Sequence, residues 1–147
     1  MKKVIALTAL LTSSVFAADL LIEVGNIADS KGNIRVAIFS EADKARFPSG
    51  KPTMIINAKT AEKTPGISVA AKEGSVYIKA SVPVGIYAVS AFHDKNKNEE
   101  LDKSFFGVPT EPYGFSNDAR GTFSAPPFSE AQFELKESGA DISLDVM

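Results

Sequence analysis

Oxygen-bearing side chains recur at every second residue along one short stretch: Asp94, Asn96, Asn98, Glu100 and Asp102. This matches the opening of an EF-hand calcium loop through its ninth position. In such a loop, alternating side chains converge on a hard ion that takes about six to eight oxygens. In that register Asp94, Asn96 and Asn98 ligate by side chain, Glu100 by its backbone carbonyl, and Asp102 directly or through water. Lys95 and Lys97 then face solvent. Two positions depart from the pattern: Glu99 stands where the turn wants glycine, and Phe105 where a bidentate glutamate belongs. The same residues also read as a capped turn, with Asn96 as N-cap, Glu99 completing a capping box and Leu101 dropping into the core. The sequence leaves both readings open.

Two other groups invite chemistry. His93, the single histidine, adjoins Asp94, but neighbours on a strand point to opposite faces and form no base–orienter pair by adjacency. No serine, threonine or second histidine is placed beside it in sequence to complete a nucleophilic set. The expectation is a protein that is not an enzyme, with His93 in a structural hydrogen bond. Arg120, with Tyr113 and Phe115 upstream, can bind the anionic group of a ligand. The competing reading is an internal bond to Asp118 or to a loop carbonyl, tying the segment down.

A strand must deliver the oxygen-rich loop. Along Gly85 to Phe92, Ile86, Ala88 and Phe92 point one way while Tyr87, Val89 and Ala91 point the other. Neither face suits continuous contact with water, so the strand is central. Around it, Leu20, Ile22 and Val24 alternate in a first strand and Ile34, Val36 and Ile38 in a second, with Asp29 to Asn33 as the turn of a hairpin. Ser40 to Pro52 reads as a loop with one helical turn. Thr53 to Asn57 is a short strand candidate, Ala58 to Gly66 a polar connection, and Ile67 to Ala71 a weak strand. Val76, Ile78, Ala80 and Val82 alternate cleanly, and Pro83-Val84-Gly85 turns the chain. Ala131 to Lys136 and Ala140 to Met147 are late strands about the turn Glu137 to Gly139. The reading is an all-β, antiparallel two-sheet sandwich of about seven strands.

Phe105 to Phe128 breaks that pattern. It holds six of the thirteen aromatic residues, four prolines and three glycines. A connection that long inside a domain is ordered and aromatic here rather than charged, so it is expected to finish the core at one end of the sandwich. An aromatic binding platform is the alternative.

Composition sets the setting. The chain has 147 residues, no cysteine and one histidine, which removes disulfides, thiol chemistry and most zinc sites. Lys2 and Lys3, the apolar run Val4 to Leu11 and then Val15-Phe16-Ala17 follow the order of a secretory signal over residues 1–17. Cleavage after Ala17 leaves residues 18–147 as one sandwich domain, exported to the periplasm or beyond the cell. Without its leader the chain carries 14 basic and 18 acidic residues, a net of −4. That balance argues against a nucleic-acid footprint. No apolar run is long enough for a transmembrane segment.

Several separated motifs occur in order: Tyr87-Ala88-Val89, His93 to Asn98, Leu101-Asp102, Phe106-Gly107-Val108-Pro109, and Tyr113 to Gly121. They closely resemble domain-of-unknown-function family 2141, small exported bacterial proteins, with Glu99 departing from the glycine common in that loop. The resemblance implies a β-sandwich of the prealbumin or carboxypeptidase-regulatory type with Ig-like Greek-key connections, and it implies no established activity. The expected role is a monomeric binding module that engages a glycan, peptide or envelope protein through the end from Asp94 to Arg120. The alternative is a structural or assembly part of the envelope with no small ligand. An enzyme of unknown class comes third.

Overall fold

A computed structural model describes residues 16–52, 55–57, 62–64 and 66–147. The leader assigned to residues 1–17 therefore lies outside the described residues except for its last two. Ten strands form in the described residues: β1 (Ala17–Ile27), β2 (Asn33–Ser40), β3 (Ile55–Asn57), β4 (Glu62–Thr64), β5 (Ile67–Ala70), β6 (Gly74–Pro83), β7 (Gly85–Asp94), β8 (Tyr113–Phe115), β9 (Phe133–Leu135) and β10 (Ala140–Asp145). Among the described residues helix is confined to single turns at Glu41–Asp43, Ser116–Asp118 and α1 (Phe128–Ala131).

The strands make one sheet ordered β10-β1-β6 and a second ordered β5-β2-β7-β8, with β9 also on β7; β3 and β4 pair with each other. Period-two alternation sets which side chains turn inward. Leu20, Ile22 and Val24 of β1, Ile78 and Val82 of β6, and Leu144 of β10 meet Ile34, Val36 and Ile38 of β2 and Tyr87, Val89 and Ala91 of β7. Each such aliphatic side chain contributes about 1.5–3 kcal/mol by leaving water.

β7 is buried on both faces, as its sequence predicts, and a second cluster supplies the reason. Ala88, Phe39, Phe115, Ala119, Phe128 and Ala131 pack together against Phe47 and Ile86. Phe47 meets the rings of Phe39, Phe115 and Phe128 edge to face at 5.3, 5.6 and 5.8 Å. Phe115, Ala119 and Phe128 of the long aromatic segment thus cover one face of β7.

Four expectations need correction. β1 and β2 form no hairpin: β1 pairs with β6 and β10, and β2 with β5 and β7. A register shift in β1 between Val24 and Ile27, with Asn26 at φ 58°, bends the chain before it crosses to the other sheet. The sheets are not wholly antiparallel, because β10 runs parallel to β1 from Leu20↔Ala140 to Gly25↔Asp145. β9 and β10 flank the expected turn at Lys136↔Gly139 but lie in different sheets. The connection after Asn57 contains β4, and Ala131 ends a helical turn instead of starting a strand.

Candidate functional site

β7 ends at Asp94 with its carboxylate wholly buried. Its two oxygens accept the backbone N–H groups of Asn98 at 3.1 Å and Glu99 at 3.0 Å. Asn96 Oδ1 accepts from Asn98 N at 3.1 Å and Asn98 Oδ1 from Glu100 N at 3.0 Å, two successive turns closed by asparagine side chains. The Nδ2 groups of Asn96 and Asn98 each donate to one oxygen of Asp102 at 2.7 Å. The structure thus gathers Asp94, Asn96, Asn98 and Asp102 into one bonded cluster and threads the backbone of Glu100 through it.

The alternative capped turn does not form. No helix occupies residues 94–102, and Lys97 and Glu99 hold φ values of 60° and 69°. Glu99 sends its carboxylate to Arg35 of β2 at 3.3 Å instead of back to Asn96, and Leu101 is half-buried. The left-handed backbone that a calcium loop asks of its sixth residue is present here, carried by a glutamate.

Sequence reasoning missed Glu111. Only 8% exposed, it accepts Lys95 N at 2.9 Å on Oε1 and Asp102 N at 3.1 Å on Oε2, stapling both ends of the loop. The signal for it was its being the single acid between Asp102 and Asp118, inside an aromatic and proline-rich run. Behind the loop, Gly32 at φ +71° lies so close to Asp94 that a Cβ would run into the Asp94 carbonyl oxygen. Asp29 accepts Lys31 N at 2.9 Å and pairs with Lys95 at 3.1 Å. The Lys31 amide first, then Lys95, holds its carboxyl below the ordinary aspartate value.

His93 is wholly buried, and Nε2 donates to Lys31 O at 2.6 Å, a structural hydrogen bond of the kind expected for it. Its Nδ1 has no partner among the described residues. Among those residues no three His, Cys, Asp or Glu side chains gather to hold a metal by themselves, so a cation in the loop would depend on the asparagines. Rotating each amide exchanges Nδ2 for Oδ1, which would present oxygens where two N–H donors now meet Asp102 and would release the N–H groups of Asn98 and Glu100 that those oxygens accept.

Next to the loop, Lys103 bridges Pro109 and Thr110 N donates to Asp102 O at 2.8 Å, forming a narrow projection. Ser104 N bonds Val108 O at 2.8 Å and Gly107 N bonds Ser104 O at 2.9 Å across its apex. Phe105 and Phe106 do not finish the core as expected. They are 99% and 87% exposed, their rings edge to face at 5.5 Å, because this turn aims them away from both sheets.

Tyr113, Phe115 and Arg120 come together elsewhere. Phe115, 6% exposed, belongs to the second core cluster, and Tyr113 is half-buried with its ring 5.7 Å from that of Phe115. Arg120 donates to the carbonyls of Tyr113 at 3.4 Å and Asp145 at 3.3 Å, while Asp118 accepts Asp145 N at 2.9 Å. This is the tie to a carbonyl weighed above. Ser116, fully buried, adds to it by accepting Val89 N and donating to Ala131 O.

A family model described as an uncharacterized protein conserved in bacteria (DUF2141) matches residues 22–143. No curated protein and no solved structure matches the chain.

Proposed function

We propose that this chain, which belongs to the uncharacterized bacterial family DUF2141, is an exported, non-enzymatic binding module that takes calcium in the Asp94–Asp102 loop. The observation that carries the reading is the single cluster made by Asp94, Asn96, Asn98 and Asp102 around a turn left-handed at Glu99. Such a turn gathers these oxygen-bearing side chains at one place, and Glu111 staples the loop's two ends. The two-sheet arrangement is read as a sandwich of the prealbumin or carboxypeptidase-regulatory type. The bare aromatic turn beside the loop supports a binding role for this end, toward a glycan, a peptide or an envelope protein. A purely structural place in the envelope is the second reading, favoured by Arg120 and Phe115 being taken up internally.

Thermal melts in calcium and in chelator test it. Calcium at a hundredfold excess over Kd adds about 2.7 kcal/mol to the folded state, several degrees for a domain of this size. Chelator reverses the gain, magnesium reproduces it poorly, and Asp94→Ala abolishes the calcium increment. A melt indifferent to calcium ends the metal part of the proposal. Co-purification with an envelope protein regardless of calcium favours the structural reading.

A further inference from the structure

We propose that the Phe105–Phe106 turn inserts into the interface of a lipid bilayer bearing anionic headgroups. The two rings and Val108, 60% exposed, stand side by side at the apex of the projection and belong to neither core cluster. Bare aromatic rings in water are unfavourable, so a fold with no need of them for packing exposes them for contact. The amides of Ser104, Gly107 and Val108 are bonded within the turn itself, to Val108 O, Ser104 O and Ser104 Oγ. An apex with those donors already occupied enters a medium of low polarity at small cost.

Area decides against the turn by itself seating a protein partner or a second copy. Each aromatic side chain offers about 150–250 Å², so two rings with one valine fall short of the roughly 800 Å² per partner of a stable protein interface. A bilayer accepts a wedge that narrow. Charge selects the headgroup. Of the acids at this end, Asp94 and Glu111 are buried against backbone amides, Asp102 accepts two asparagine amides, and the exposed Glu99 pairs with Arg35. In the loop Lys97, Glu99 and Glu100 are all exposed, whereas the projection itself, residues 103–110, contains the exposed Lys103 and no acid.

The test is sedimentation of protein, purified from cells expressing the full chain, with mixed phosphatidylglycerol–phosphatidylcholine vesicles and with phosphatidylcholine alone, in calcium and in chelator. Wild type is expected to bind the mixed vesicles in at least one condition, and more strongly than the neutral ones. Phe106→Ser lowers the partition at least about tenfold, as loss of one buried ring requires. The double change Phe105→Ser with Phe106→Ser abolishes binding, and because both rings are exposed the variants melt as wild type does. Lys103→Glu weakens binding to the mixed vesicles only. No sedimentation under any condition, equal binding to both compositions, or binding unchanged in the double variant overturns the proposal. The calcium melt is read separately, so either result stands without the other.

Discussion

Glu99 sits at φ 69° in the turn after Asn98, a conformation that costs an L side chain about 1–2 kcal/mol and glycine almost nothing. Its link to Arg35 returns little of that, because an ion pair whose glutamate is mostly exposed contributes about 0–1 kcal/mol. Glycine in turn frees the unfolded chain by about 0.4–1 kcal/mol. Glu99→Gly is therefore expected to leave the calcium-free melt within about 1 kcal/mol of wild type while tightening calcium binding. Calorimetric titration of the two proteins checks this, and an unchanged or weaker affinity would show that the backbone at this position is irrelevant to the ion. At the scale of single residues the gathering of Asp94, Asn96, Asn98 and Asp102 was legible because their period-two spacing suits side chains that converge in one loop, although the same residues also read as a capped turn. Glu111 was not legible, since its role depends on a contact with Lys95 and Asp102 made only after folding. Phe105 and Phe106 misled for the opposite reason. An apolar side chain in sequence suggests a core, and only the direction of the turn decides otherwise.

The loop as an element depends on that glutamate. Glu111→Gln replaces one acceptor oxygen by an amide that faces a backbone N–H, so either Lys95 N or Asp102 N loses its partner. The expected cost is about 1–3 kcal/mol, the usual range for a buried donor left unpaired. Hydrogen exchange should show it locally, with faster exchange at residues 95–102 and unchanged protection in β1 and β6. Uniformly faster exchange would mean that Glu111 supports the whole fold instead of the loop. The strands themselves were readable: Leu20-x-Ile22-x-Val24 and Val76-x-Ile78-x-Ala80-x-Val82 declare their inward faces. Their partners were not. Alternation records which side of a strand meets the core and is silent on which strand lies beside it, so β1 and β2 read as a hairpin although they lie in different sheets. The segment from Tyr113 to Arg120 hid its organisation likewise, because Ser116, Asp118 and Arg120 bond to backbone of β7, α1 and β10, far away in sequence.

Across the whole molecule, β7 joins the two cores and hands the candidate loop to one end, while Ala17, Pro83 and Gly85 gather at the other. The parallel pairing of β1 with β10 then acquires a mechanical meaning. In parallel neighbours, the start of one strand and the finish of the other lie at opposite ends. Tension applied at Ala18 and Asp145 therefore loads the register from Leu20↔Ala140 to Gly25↔Asp145 in shear, and its bonds must fail together. Tension applied at Ala18 and Ala140, both at the same end, opens the pair one bond at a time. Single-molecule pulling through these two attachment geometries should give a clearly higher rupture force for the first, and equal forces would mean that the β1–β10 seam is not what yields. A chain held by both its ends, in a wall or between neighbours, would carry strain along its strongest direction and keep the Asp94 loop intact under load.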